Sequence, residues 1–241
     1  MTEKFLGHLL DEASRPYRAA GRFGYHFARG KLGGDCIFRE LLRRGIFPSA
    51  ARFLDLGCGQ AVFASWLLAA RKLYEAGDWP ADWPEPPRVL ALRGYELMAR
   101  DVARARVALA DREPQVVIRQ GDIRGTDFGR VDVVTILDVL HYIDHAGQED
   151  LLRRARAALP AGGLLVTRVG DAAAGLPFHV CDWLDRAVIL ARWRRRPVLW
   201  CRGLSDWVAL LARSGFEVET MPMSEGKPFA NVMLIARANG A

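Results

Sequence analysis

The sequence contains few cysteines and no pattern that would put them to use. Its four cysteines are widely separated and form no Cys-x-x-Cys pair. This spacing argues against a zinc site and against a disulfide framework, and it suits a reducing compartment. We therefore expect no metal in this protein.

Long apolar runs are absent as well. Nowhere do about 18 uncharged apolar residues follow one another, so we expect no transmembrane helix. Residues 1–8 form no continuous apolar stretch, and Asp11 and Glu12 follow soon after. No signal peptide is expected, and the predicted location is the cytoplasm.

The charge balance is positive and rests mainly on arginine. The formal net charge is +6 over 241 residues. Nucleic acid, an anionic membrane surface or an acidic protein would each suit such a charge. Arginine is spread through the whole chain, which agrees equally well with a GC-rich genome that encodes arginine where others encode lysine. The charge alone therefore identifies no partner.

Strands alternate with helices along most of the chain. Apolar strands are predicted at 51–56, 89–95, 116–118, 131–137 and 164–167, with helices at 62–74, 99–110 and 149–159. This alternation predicts a parallel sheet with helices on both faces. After a helix at 205–214, strands at 216–220 and 231–236 predict an antiparallel hairpin. The expected fold is α/β, a doubly wound, mostly parallel seven-stranded sheet with a terminal antiparallel hairpin (Rossmann-like).

A glycine-rich turn follows the first strand. Dinucleotide-binding turns require Gly-x-Gly-x-x-Gly, so that the backbone can approach a pyrophosphate. Here Val62 stands at the third glycine position, where its β-branched side chain would crowd the contact between helix and strand. The sequence therefore argues against an NAD-dependent oxidoreductase.

The segment Asp55-Leu56-Gly57-Cys58-Gly59 resembles the cofactor loop of class I S-adenosylmethionine-dependent methyltransferases. The resemblance extends from about residue 53 to residue 237 and includes the terminal hairpin. It implies S-adenosylmethionine as cofactor, close backbone approach at Gly57, Cys58 and Gly59, and a carboxylate for the ammonium group of the cofactor. The family often has glycine where this chain has Ala61.

The resemblance assigns further cofactor residues to the ends of the next two strands. Glu96, followed by Leu97, matches the acid that binds the ribose hydroxyls. Asp122 matches the residue that accepts from the adenine amine, and Ile123 the residue that packs on the ring. The proline-rich loop 77–87 explains why Glu96 lies further from the cofactor loop than the usual ~20 residues. The structural alternatives are a solvated strand-end carboxylate for Glu96 and an ordinary Gly-Asp turn for Asp122.

The fourth strand ends in a segment that resembles the part of the family passing beside the methyl group. Leu137 and Asp138 would flank the methionine portion of the cofactor. His141 is a candidate general base and Tyr142 a candidate wall of the acceptor pocket. A structural role for His141 is the alternative, because methyl transfer from a sulfonium can proceed by positioning alone.

The domain prediction places a helical leader or lid at 1–48 and the cofactor-binding domain at 49–241. A helical insert on the acceptor side is predicted at about 171–203. The leader either orders over a ligand or packs its aromatic side on the sheet. The insert combines aromatics with arginines, which favours a planar acceptor, an acidic carrier protein or an anionic head group. The alternative is a solvated helix end whose cations complement the dipole.

Residues 17–35 and 223–231 resemble methyltransferases of bacterial aryl-polyene or polyketide pigment clusters. This resemblance implies secondary metabolism and an aryl oxygen as acceptor, free or on an acyl carrier protein. A nucleic-acid methyltransferase is the alternative, although 137–142 lacks the proline of typical base-methylating sites. A non-catalytic cofactor-binding partner protein is the third hypothesis, and the intact Asp55, Gly57, Gly59 and Glu96 argue against it.

Overall fold

The computed structural model describes residues 2–174, 198–223 and 230–240. Helices α1 to α7 span Thr2–Ser14, Gly21–Gly34, Cys36–Arg43, Val62–Glu75, Ala99–Ala108, His145–Ala158 and Leu204–Arg213. Strands β1 to β7 span Ala50–Leu56, Arg88–Glu96, Val116–Gln120, Val133–Leu137, Leu164–Gly170, Phe216–Pro222 and Asn231–Ala238. Residues 175–197, the central part of the predicted insert, lie outside the described residues.

The strands belong to one seven-stranded sheet with the order β3-β2-β1-β4-β5-β7-β6. Strands β1, β2 and β3 pair in parallel, and β7 pairs antiparallel with both β5 and β6. The predicted mixed sheet with its terminal hairpin is therefore confirmed. Among the described residues, no helix is long and apolar enough to cross a membrane.

The chain divides into two compact units, which we describe separately. The first comprises Met1–Asp127 with Val131–Val133, and the second comprises Phe128–Arg130 with Val134–Ala241. In the first unit, α1 packs against α4, where the Ser65 hydroxyl donates to the Ala13 carbonyl at 2.7 Å. The Trp66 ring likewise donates to the carbonyl of Phe38 in α3, at 2.8 Å.

Gly33 and Gly34 form no separate turn before α3. Both glycines belong to α2, and Asp35 alone acts as the cap of α3 by accepting from Ile37 N–H at 3.3 Å. A side chain at Gly33 would stand 3.0 Å from Leu10 Cδ2 of α1. The glycine thus permits close packing of α1 and α2, which offsets its low helix propensity of about 1 kcal/mol.

In the second unit, β7 lies between β5 and β6. Helix α6 begins four residues earlier than Glu149, the predicted start, because Asp144 caps it by accepting from Gly147 N–H at 2.7 Å. Helix α7 was predicted from residue 205, and it begins at Leu204 with Gly203 as its N-cap. The carboxylate of Asp171 accepts from Leu204 N–H at 2.9 Å, so the cap of α7 comes from a distant residue.

Candidate functional site

The predicted cofactor loop follows β1 and is attached to the end of β2. The N–H groups of Gly57 and Cys58 both donate to the carbonyl of Tyr95, at 2.8 and 3.1 Å. Gly57 and Gly59 have φ values of +75° and +56°. These left-handed conformations favour glycine, which explains the Gly-x-Gly pattern of the loop.

Glu96 borders the same loop. One oxygen of its carboxylate accepts from Gly59 N–H at 3.0 Å, and the other accepts from Met98 N–H at 2.8 Å. Two backbone donors therefore fix the carboxylate at the carboxyl end of β2. Asp55, at the end of β1, is buried. The structure thus places two of the predicted acidic residues at the ends of neighbouring strands.

The backbone donors of the loop are largely used within the protein. Gly57 and Cys58 donate to Tyr95, Gly59 donates to Glu96, and Ala61 donates to the Cys58 carbonyl at 2.8 Å. A pyrophosphate-binding turn instead presents such N–H groups to its ligand. The loop is therefore better suited to a hydroxyl-bearing or cationic ligand than to a phosphate.

The Cys58 side chain points towards β2. A side chain at Gly94 would stand 2.8 Å from Cys58 Sγ and 2.7 Å from Ile118 Cδ1. Burial raises the pKa of the Cys58 thiol well above its ordinary value, and the charge on Asp55 adds to this effect. The thiol therefore stays protonated and serves packing, whereas Gly94, which the sequence analysis missed, makes room for it.

The backbone conformation of Ala61 explains why glycine suits its position better. Its φ is +56°, and it precedes the first residue of α4. An alanine in this left-handed conformation costs roughly 1–2 kcal/mol. Val62, which argued against a dinucleotide turn, is the first residue of α4 and is buried.

Asp122 lies after β3, as predicted, but its carboxylate has a partner within the chain. Both of its oxygens accept from the Arg124 guanidinium, with a closest distance of 2.6 Å. The Arg124 guanidinium holds the pKa of Asp122 below its ordinary value, so the carboxylate is ionised at neutral pH. The neighbouring Ile123 is buried, whereas Leu97 is exposed after Glu96.

In the second unit, β4 ends at Leu137, and the residue that follows it has a strained backbone. Asp138 has φ +60° although it is not glycine. Its carboxylate pairs with Arg168 of β5 through two bonds, one of 2.6 Å from Nε to Oδ1 and a second from Nη2 to Oδ2. Arg168 is buried, and a fork-shaped pair of this kind is both strong and directional. The predicted strand 164–167 ended before Arg168, so this pair was not predicted.

His141 and Tyr142 lie in a 3-10 turn, Leu140–Tyr142. Their ring centroids are 4.0 Å apart with the planes tilted by 59°. The His141 ring is half-buried and Tyr142 is exposed. The carbonyl of His141 accepts from Trp200 N–H at 2.8 Å, so the returning segment, the last part of the predicted insert, bonds directly to this turn.

Gln148 of α6 holds this turn and the returning segment together. Its amide nitrogen lies 3.0 Å from the carbonyls of Leu140 and Ile143 and 2.7 Å from that of Trp200. Its amide oxygen accepts from Arg202 Nε at 2.7 Å. Gln148 is fully buried. No sequence pattern indicates this role of Gln148, because most of its partners are backbone carbonyls, which every residue has.

Known proteins share this fold. An O-methyltransferase family protein from Burkholderia thailandensis superposes with a TM-score of 0.60 at 17% identity, covering 93% of this chain and 62% of that protein. Magnesium protoporphyrin IX methyltransferase from Synechocystis PCC 6803, solved with bound SAH, gives 0.58 at 16% identity, covering 90% and 88%.

Sequence comparison leads to the same family. Carboxy-S-adenosyl-L-methionine synthase of Chromohalobacter salexigens is 32% identical over 145 residues, which make up 59% of this chain and 46% of that protein. The chain thus spans less than half the length of this curated relative. Residues 27–221 match the family described as "Methyltransferase domain". The resemblance to S-adenosylmethionine-dependent methyltransferases is confirmed, and this chain belongs to the methyltransferase domain family.

Proposed function

We propose that this protein binds S-adenosylmethionine and transfers its methyl group to a small molecule. The observation that carries the proposal is the loop after β1, whose N–H groups at Gly57, Cys58 and Gly59 are bonded within the protein and whose border is the carboxylate of Glu96. This chemistry fits a sulfonium nucleoside, which has hydroxyls and an ammonium group but no phosphate.

The residues of the first unit supply the proposed cofactor contacts. Glu96 accepts from the ribose hydroxyls, and Asp55 is the carboxylate for the ammonium group. Asp122 accepts from the adenine amine while it remains paired with Arg124. Ile123 and Leu97 provide apolar surface for the ring. The fixed position of Glu96 reduces the ordering that binding requires, which favours affinity.

The residues of the second unit supply the proposed reaction site. The bound cofactor provides a methyl group on a positively charged sulfur. Leu137 and Asp138 flank its methionine portion, and Arg168 keeps the Asp138 carboxylate in one orientation. His141 takes the proton from an acceptor hydroxyl, and Tyr142 shapes the pocket. Orientation of the acceptor supplies much of the rate, because in-line transfer gains from a high effective concentration.

The proposed acceptor is an oxygen of an aryl or polyketide-like metabolite, free or attached to an acyl carrier protein. The similarity to an O-methyltransferase family protein supports oxygen as the acceptor atom. The arginine-rich composition suits an acidic carrier protein. The cytoplasm remains the proposed location.

The test is methyl transfer from S-adenosylmethionine carrying a deuterated methyl group. The purified chain is incubated with phenolic and polyketide-like compounds, free and loaded on acyl carrier protein. The masses of the products are then measured by mass spectrometry. We expect a labelled product together with S-adenosylhomocysteine. Labelled DNA or RNA, bound with a steep salt dependence, would favour the nucleic-acid alternative. Cofactor binding without transfer to any compound would favour a non-catalytic partner protein.

A carboxylated cofactor is the second candidate product, suggested by the name of the curated relative. The 32% identity over 145 residues is the observation that favours it. The same mass spectra separate the two reactions once a carboxylic acid that can donate CO2 is added to the incubation. The methyl carbon then gains the carboxyl group and loses one deuteron while it stays attached to sulfur, and no labelled acceptor forms.

A further inference from the structure

The side chain of Tyr17 connects the leader to the cofactor loop. Tyr17 lies in the 3-10 turn Arg15–Arg18 between α1 and α2, and it is fully buried. Its hydroxyl donates to the backbone carbonyl of Gln60 at 2.7 Å. Gln60 stands between Gly59 and Ala61, which both have left-handed backbone conformations.

We propose that Tyr17 is a positioning residue for S-adenosylmethionine, because its hydroxyl holds the loop at Gln60 in the conformation that binds the cofactor. This inference rests on the proposed function. If Tyr17 were only a packing residue, its ring would suffice and the hydroxyl would have no task. Instead, the hydroxyl satisfies a buried carbonyl that stands between Gly59 and the strained Ala61.

The surroundings of Gln60 support this role. Its side chain is buried and donates to the Asp101 carboxylate of α5 at 3.0 Å. Asp101 also pairs with Arg104 at 3.3 Å. The Arg104 guanidinium lies 4.3 Å from the ring centroid of Phe23, in α2 of the leader. The leader is thus joined to the loop by Tyr17 directly and by Phe23 through α5.

Backbone bonds hold the N–H groups of the loop, but the Gln60 carbonyl depends on Tyr17. Ala61 makes no side-chain cap to α4, and its conformation is strained. The side-chain oxygen of Gln60 has no hydrogen-bond partner within the described part of the chain. Without the Tyr17 hydroxyl, the Gln60 carbonyl would also lose its partner, and the loop could relax away from the binding conformation. Cofactor binding would then have to restore that conformation at the expense of affinity.

The test is calorimetric titration of the full chain with S-adenosylhomocysteine, comparing Tyr17→Phe with a matched control. Ser65→Ala is the control, because Ser65 also donates one buried 2.7 Å hydrogen bond to the leader, at the Ala13 carbonyl, but from α4 rather than the loop. We expect Tyr17→Phe to weaken binding by about 5-fold or more, a typical coupling between sites. We expect Ser65→Ala to stay within about 2-fold of wild type, below that range.

Thermal melting of both variants checks that each is folded at the titration temperature. Equal affinity in Tyr17→Phe and wild type would overturn the proposal, as would an equal loss in both variants. Failure of the wild-type chain to bind would instead overturn the proposed function. Because coupling between two sites is reciprocal, the effect of S-adenosylhomocysteine on the leader can be measured without a variant. In the wild type, S-adenosylhomocysteine should slow hydrogen exchange at Ala20, whose N–H donates to the Tyr17 carbonyl. Unchanged exchange there also contradicts the proposal.

Discussion

Gly94 and Cys58 fit together so closely that a single added methyl group would separate them. A Cβ at Gly94 would stand 2.8 Å from Cys58 Sγ and 3.3 Å from Cys58 Cβ. Because Cys58 belongs to the proposed cofactor loop and Gly94 to β2, this contact joins the packing of the sheet to the shape of the loop. Stability and cofactor affinity should therefore respond together to a change at either residue.

Gly94→Ala should lower the free energy of unfolding by about 1–3 kcal/mol, the usual cost of overpacking. It should also weaken S-adenosylhomocysteine binding, because the loop must move to accept the methyl group. Cys58→Ala removes the sulfur, so the double variant should lose less stability than the sum of the two single variants. Urea unfolding measures the free energy of unfolding of the wild type, the two single variants and the double variant. Strict additivity would show that the two residues do not constrain each other.

Glu96→Gln should weaken S-adenosylhomocysteine binding by about 1–3 kcal/mol, the cost of removing a charged hydrogen-bond acceptor from a site. The amide keeps the shape of the side chain but turns one acceptor into a donor, which faces either Gly59 N–H or Met98 N–H. Calorimetric titration measures the change. The exposed Glu75, paired with Arg71 on α4, provides the control Glu75→Gln. Similar affinities in the two variants would show that Glu96 does not bind the cofactor.

Gln148→Leu should lower the free energy of unfolding by about 2 kcal/mol or more, because the carbonyls of Leu140, Ile143 and Trp200 lose a buried donor. Hydrogen exchange at Trp200 N–H should quicken, since that group bonds to the neighbouring His141 carbonyl. Gln115→Leu is the control. Gln115 donates one bond, to the Val89 carbonyl in the first unit. If exchange at Trp200 changes equally in both variants, Gln148 does not hold this segment.

The stability of the leader should depend on acid through Glu40. The guanidinium of Arg43, with those of Arg44 and Arg39, lowers the pKa of Glu40 from 4.5 to about 2. A carboxyl whose pKa is depressed by folding stabilises the folded state above its unfolded pKa, and this contribution is lost as pH falls. The free energy of unfolding should therefore decrease between pH 4.5 and about 2. In Glu40→Gln that part of the acid dependence should vanish. Identical pH profiles in urea unfolding would contradict this.

The sequence was most informative where function depends on local backbone geometry. Gly57 and Gly59 lie in the turn after β1 that their pattern predicted, and Glu96 stands at the end of β2 as its position predicted. The residues that fix the cofactor loop and the segment after β4 were missed, namely Tyr17, Gly94, Arg168 and Gln148. Most of their partners are distant in sequence, and Tyr17 and Gln148 act on backbone carbonyls. Neither hydrophobic periodicity nor short motifs indicate such contacts.

Calorimetric titration of the full chain with S-adenosylhomocysteine and, separately, with NADH tests the central claim most directly. The loop after β1 uses its N–H groups internally and has Glu96 at its border, so we predict saturable binding of S-adenosylhomocysteine and none of NADH. Binding of NADH, or no heat with S-adenosylhomocysteine at high concentration, would contradict the account.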